Sequence, residues 1–410
     1  MQRTKKGGAN DLKADVLRWI MEPGQRWFLF FLPALVASMY FARGFIYTWP
    51  TVGHVETVDL KRMNEIFPAG EEMYLRAAKN LWKPDGPVWW APNVDDPSSG
   101  KLFFSDRRSN FIFKLDNLAH TIYARGDSCG DDHNRDCGSS GIAVDPYSNK
   151  LLLCEQGKRQ LSRLEDDGRK TALATHYKGK KLNGPNGILF APNNDLLFLD
   201  YNDNQAGVQE LEFNGIFKVR GKAVKVSSKN AKKAGTGNPG HDAKPELLSS
   251  SISMPAGMAF SNDHKQFLVS NSDPKDERWY IFDVEWDFGD GFHGSRKDLR
   301  ILSSEVTTLK DFSLTNMREF ASAGNLREEC LKRGLPQGSC SGKPSGVKVD
   351  SNGNFFLTGP GGVHVYDSDG NRIGSLWTGL VTSNLEFGPG SLFITGDRAV
   401  IQIQCLTSPR

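Results

Sequence analysis

Six stretches of this chain share one alternation of apolar runs and polar turns. They are GPVWWAPNVDDPSSGKLFFSD from Gly86, GIAVDPYSNKLLLCE from Gly141, GILFAPNNDLLFLDY from Gly187, GMAFSNDHKQFLVSN from Gly257, GVKVDSNGNFFLTGP from Gly346 and NLEFGPGSLFITGD from Asn384. Each has an apolar run of about four or five β-branched or aromatic residues, a turn of Asn, Asp, Ser or Gly, and a second such run, which is the chemistry of strands and hairpins. Further strands follow most units, among them NFIFKLD from Asn110, GIFKVRG from Gly215, WYIFDVEW from Trp279 and GVHVYDSDG from Gly362. Repeats of roughly 40 residues with several short strands each point to radial blades, because a closed ring leaves few sheet edges exposed. The pattern predicts an all-β fold, a six-bladed β-propeller over residues 81–410.

The blades are unevenly spaced, and the excess falls in two insertions. Residues 227–244 (SSKNAKKAGTGNPGHDAK) are polar, basic and rich in glycine, and read as a solvated loop. Residues 287–342 contain a helix candidate, LTNMREFASAGNLREECLKRG, with helix formers from Asn316 to Leu326 and Gly334 as its stop. Both insertions are open to two readings, part of a lid over one face or decoration of the rim.

Before the repeats, the pattern changes. Trp27 to Ala42 is continuously apolar and the run resumes after Arg43 as far as Trp49, close to the roughly 20 residues that a bilayer span needs. Arg3, Lys5, Lys6, Lys13, Arg18 and Arg26 precede it, whereas only Arg43 lies close behind. The positive-inside rule then predicts residues 1–26 as a cytoplasmic tail, 27–49 as a transmembrane signal anchor, 50–80 as a linker, and the propeller on the lumenal or extracellular side. A buried helix or an organelle-targeting leader is the alternative. Cysteine usage fits an oxidising compartment: Cys129 and Cys137 flank one polar loop, Cys330 and Cys340 another, and each pair reads as a local disulfide staple. Cys154 lies in an apolar run and reads as a small buried thiol.

Composition narrows the function. Lys plus Arg number 51 against 48 for Asp plus Glu over 410 residues, a formal charge of +3, too small for the footprint of a nucleic-acid binder. No G-x-S-x-G elbow occurs, and no pair of histidines has metal-ligand spacing. The acidic residues between Cys129 and Cys137 lack EF-hand spacing and read as a solvated loop.

The stretch Leu151–Tyr201, with CEQGKRQ, then GKKLNGPNG, then a strand ending FLD, resembles the senescence-marker-protein/gluconolactonase family of six-bladed propellers, including the regucalcin-type members. The segments KPSGVKVDSNGNFFLTGPGGVHVYDSDGNRIG and TSNLEFG are similar to its closing blades. The resemblance covers Asp85 to the C-terminus. It implies a divalent cation in the channel, Ca²⁺ first and Zn²⁺ or Mn²⁺ as alternatives, polarising a lactone or ester carbonyl and activating water. In that family the donors come from a Glu in E-G-P-x-W and from the Asn, Asn and Asp of P-N-D, P-N-G and P-D-G. Here Asp85 and Asn186 stand at two of these positions, but Ala256 and Ser345 occupy the others, and Gln156 replaces a His. The resemblance implies Asp85, Glu155 and Asp200 as catalytic candidates, Asn183, Arg159 and Asn271 as substrate-binding candidates, and Asp85 and Asn186 as metal ligands. For Glu155, Asp200 and Asn271 the alternative is a strand-end polar group that satisfies backbone donors. Two functions follow: a membrane-anchored hydrolase of a small-molecule lactone or ester, or a propeller that has lost hydrolysis and binds a ligand or protein, or works without metal as strictosidine-synthase-like propellers do.

Overall fold

A computed structural model describes residues 50–77, 80–91, 96, 99–116, 119–126, 128–129, 137–201, 209–225, 243–288 and 309–408. The described strands form six antiparallel sheets of four or five strands and one two-stranded hairpin, His176–Tyr177 with Lys180–Lys181. The innermost strands are Pro84–Trp90, Ser139–Val144, Pro185–Phe190, Pro255–Phe260, Val347–Val349 and Thr382–Gly388, one in each of blades I to VI. Each touches the innermost strand of the next blade, and the last touches the first, so the ring is closed. The six units of the sequence are the six blades.

Apolar packing lies between neighbouring sheets. Leu197, Leu199 and Ile216 of blade III meet Phe267, Val269 and Phe282 of blade IV in one buried cluster. Burying each such side chain contributes about 1.5–3 kcal/mol. Hydroxyl groups stitch the blades together nearer the axis. Ser105 Oγ lies 2.8 Å from the Ser140 carbonyl, Ser270 Oγ 2.6 Å from that of Ser345, and Ser383 Oγ 2.7 Å from that of Pro84.

Within residues 50–80, where the sequence suggests a linker, two strands join sheets of the propeller. Met73–Ala77 is the outermost strand of blade VI, paired with Ala399–Gln404, so the start of the domain closes the ring against its end. His54–Thr57 pairs with Arg372–Trp377 and adds a fifth strand to blade V. Both cover edges whose N–H and C=O groups would otherwise lack partners. Between them runs a short helix, Leu60–Ile66, capped by Asp59 and burying Met63 and Ile66.

The helix candidate in the second insertion is also corrected. Asp311–Ser322 is the outermost strand of blade IV, paired with the long strand Arg278–Asp287, and the helix begins only at Ala323 and ends at Lys332. Pairing with a ten-residue neighbour overrides the helix propensity of residues 316–322. Gly334, at φ +71°, follows the helix end as expected. Cys129–Cys137 and Cys330–Cys340 are disulfide-bonded, and Cys154 is a buried free thiol. The expected anchor at 27–49, most of the first insertion, residues 289–308 of the second and the acidic loop 130–136 lie outside the described residues. Among the described residues no helix is long and apolar enough to cross a membrane.

Candidate active site at the channel mouth

Every innermost strand begins at the same end of the propeller, and one position recurs there. The residue before the glycine of each repeat, or before Asn384 in the last, is Asp85, Ser140, Asn186, Ala256, Ser345 or Ser383 in blades I to VI. The glycines are required by close approach. A Cβ on Gly86, whose φ is +51°, would collide with the Ser140 carbonyl, and one on Gly257 with that of Ser345. Behind this ring a cavity of about 480 Å³ is lined by all six innermost strands, from Gly86, Gly141, Gly187, Gly257 and Asn384 to Lys348 and Glu386, which form an ion pair of 2.6 Å.

Members of the ring differ in what their side chains do. Asp85 is 9% exposed. Its Oδ1 accepts the Gly86 N–H at 2.7 Å and the Asn384 Nδ2 at 3.4 Å, and its Oδ2 has no partner among the described residues. Among the described residues the Asn186 side-chain amide and the Ser345 hydroxyl make no hydrogen bond, although the Asn186 and Ser345 carbonyls accept from Ser140 and Ser270. Ser140 and Ser383 donate to backbone carbonyls of neighbouring blades. Asn384, which sequence reasoning missed, holds Asp85 from the last blade, and its place of glycine in the repeat is the signal that marks it.

One register step away a second set behaves differently. Asp106, Glu155, Asp200 and Asn271 end the second strands of blades I to IV and pair with Pro84, Ser139, Pro185 and Pro255. Asp106 accepts the Trp82 and Lys83 N–H groups at 2.7 and 3.0 Å. Asp200 accepts those of Asn183 and Gly184 at 2.8 and 2.7 Å, and Asn271 that of Met254 at 2.9 Å. These groups lock the segment that leads into each innermost strand. Asp200 is wholly buried, which pushes its carboxyl up to about 6, opposed by the two backbone N–H groups and by Arg159.

Glu155 is held by side chains instead. Its carboxylate accepts Ser128 Oγ at 2.9 Å, Lys170 Nζ at 2.7 Å and Gln160 Nε2 at 2.7 Å, and also Ser162 Oγ. Two further candidates are similarly occupied. The Asn183 amide reaches the Leu211 and Phe213 carbonyls at 3.3 and 2.9 Å, and Arg159 donates to the Leu182 and Lys181 carbonyls at 2.5 and 3.2 Å. Thus Glu155 and Asp200, expected as catalytic, and Asn183, Arg159 and Asn271, expected to bind substrate, all have protein partners; those of Asp200 and Asn271 include backbone N–H groups, whereas those of Glu155 are side chains. Gln156 is buried beside them. Its Oε1 accepts from Arg107, another residue that carries no sequence signal, while its Nε2 has no partner.

Residues 84–397 match the family model described as SMP-30/Gluconolactonase/LRE-like region. The chain belongs to this family. A gluconolactonase of Zymomonas mobilis is 24% identical over 372 residues, covering 87% of each chain. Among solved structures, a gluconolactonase from Xanthomonas campestris superimposes with a TM-score of 0.61 at 21% identity, covering 87% of this chain and 97% of its own. A calcium-binding protein, regucalcin, from Agrobacterium tumefaciens gives 0.52 at 15% identity, covering 88% and 96%.

The cation that membership in the SMP-30/gluconolactonase family implies does not fit the donors present. Among the six ring positions Asp85 is the only carboxylate. Ala256 offers no ligand atom, Ser345 offers a neutral hydroxyl, and Asp85 Oδ1 already accepts two hydrogen bonds. Among the described residues no group of three or more His, Cys, Asp or Glu side chains converges as a metal site. Calcium takes six to eight oxygen ligands and needs anionic ones to offset its dehydration, which this ring does not supply.

Proposed function

We propose that this chain is a hydrolase of small lactones or related esters, acting at the channel mouth that carries Asp85 and Asn186. The observation that carries the reading is that these two ring residues, at positions where the family places functional groups, keep a carboxylate oxygen and a side-chain amide without partners among the described residues, while the strand-end groups next to them are held. Asp85 Oδ2 takes a proton from water as the water oxygen bonds to the carbonyl carbon. Asn186 Nδ2 donates to the carbonyl oxygen as it becomes negative. When the ring C–O bond breaks, the departing alkoxide receives the proton from Asp85 and a hydroxy acid leaves. The proton and the electron pairs balance without a co-reactant other than water.

A second reading is a propeller that binds its ligand without hydrolysing it, and the changes at Ala256 and Ser345 favour it. Titration of acid release from glucono-δ-lactone separates the two. Hydrolysis above the spontaneous rate that falls in Asp85→Asn and Asn186→Ala supports the hydrolase, and saturable lactone binding with no such rate supports the binder. The anchor at residues 27–49, with the propeller on the lumenal or extracellular side, is part of the same proposal. It is tested by protease protection in sealed vesicles, where digestion of the propeller from the cytoplasmic side refutes it.

A further inference from the structure

Two arginines from different blades stack on one exposed tryptophan at the mouth end of the propeller. Trp82 lies two residues before the innermost strand of blade I and is 48% exposed. Its backbone is fixed by the hydrogen bond to Asp106. Arg108, in the turn after the second strand of blade I, places its guanidinium 5.1 Å from the indole centroid. Arg398 comes from the corresponding turn of blade VI and lies at 4.7 Å. Both turns are at the end where the innermost strands begin, because Asp106 pairs with Pro84 and Gly396 with Thr382. The stack therefore shares its face with Asp85, three residues beyond Trp82.

Two further facts bear on its purpose. Both arginines are exposed, and neither is ion-paired with a carboxylate among the described residues. The turn that carries Arg398 is held at φ +37° for Asp397 and +67° for Arg398, a left-handed pair that normally calls for Asn-Gly. Non-glycine residues in such a region are strained and persist where the surroundings or a function require them. Here the strained turn sets a second cation against the ring that the first already occupies. Cation–π contact orders both guanidiniums while leaving their N–H edges free for an anion.

We propose that the Arg108–Trp82–Arg398 stack seats an anionic group of the substrate, a carboxylate or a phosphate ester, so that the lactone or ester accepted here carries a negative charge away from its reactive carbonyl. The inference rests on the hydrolase reading for the word substrate, but its binding test does not. Glucose, glucuronate and glucose 6-phosphate, which lack a scissile lactone, serve as neutral, carboxylate and phosphate probes in calorimetric titrations of the full chain at low salt. At least one anionic sugar is expected to bind about tenfold or more tightly than glucose, an advantage that salt weakens. Arg108→Ala, Arg398→Ala and Trp82→Ala should each remove most of that preference, and Arg398→Lys should retain only part of it, because an ammonium lacks the stacking plane. Whichever anion gains identifies the source of the charge. Equal affinity for the three sugars, no binding of any, or a preference that survives the arginine substitutions overturns the proposal. If the preference and its loss are seen but no lactone is hydrolysed, the hydrolase reading falls and the anion site stands. Lactone hydrolysis without any anion preference does the reverse, removing the anion site and keeping the hydrolase.

Discussion

Asp85 and Asp200 are both buried aspartates at the same end of the propeller, one register step apart in the repeating unit, and they have opposite employment. Asp200 is fully enclosed and accepts two backbone N–H groups. Asp85 accepts the N–H of its own neighbour and a long contact from Asn384, and keeps an oxygen without a partner among the described residues. The residue type is the same, so the difference comes from position. The Asp200 carboxylate meets the amides of the segment leading into the innermost strand, whereas that of Asp85 lies beside the repeat glycine and Asn384. The first position holds backbone in place, and the second carries the side chain to which we assign the chemistry.

The sharpest way to break this contrast is to attack the locks. Glu155→Ala removes the partner of Lys170, whose side chain is almost wholly buried. Leaving such a cation unpaired is expected to cost about 3–5 kcal/mol, read as a lowered midpoint of denaturant unfolding. A cost below that of a surface substitution would show that the cluster is not structural.

Asp200 offers a test by pH. Its folded value near 6 lies above the roughly 3.9 of an unfolded aspartate, so the folded protein binds more protons between those values. Its contribution to stability is then fully present below about pH 4 and is lost as pH rises through 6. Relative to Asp200→Asn, the native protein should lose up to roughly 3 kcal/mol of stability between pH 4 and pH 7. A difference that stays flat with pH would place Asp200 in a less desolvated setting than the structure shows.

On the other side of the contrast, Asp85→Asn should leave stability within about 1 kcal/mol of the native protein and reduce lactone hydrolysis about 100-fold. An unfolded or fully active variant would merge Asp85 with the locks. Smallest in expected effect is Ser345→Ala. Its hydroxyl has no partner, so stability should change by no more than about 0.5 kcal/mol in denaturant unfolding, and a larger loss would reveal a bond that the structure lacks.

Much of this architecture is legible in the sequence because each blade repeats a glycine, an apolar run and a turn. The six units locate the six innermost strands, and the spacing of the cysteines anticipates both disulfides. What escapes is carried by distant pairing. Met73–Ala77 is a short strand containing Arg76, with no alternation to announce it, and its partner lies more than 300 residues away. Residues 316–322 have helical propensity, but the neighbouring strand decides. At the site, residue type alone does not distinguish Asp85 from Asp200, nor show that Asn183 and Arg159 are occupied by backbone carbonyls. The register of each aspartate against its proline or glycine does distinguish them, once the strands are placed.

The contrast finally turns on whether the mouth holds a resident cation. The direct measurement is calorimetric titration of calcium, zinc and manganese into the protein and into the variant Ala256→Asn/Ser345→Asp, which returns donors to the two changed ring positions. The native protein is expected to show no stoichiometric binding at micromolar concentrations, and the variant to gain it. Tight binding of one equivalent by the native protein, abolished by Asn186→Ala, would contradict the account of a mouth whose donors no longer make a metal site.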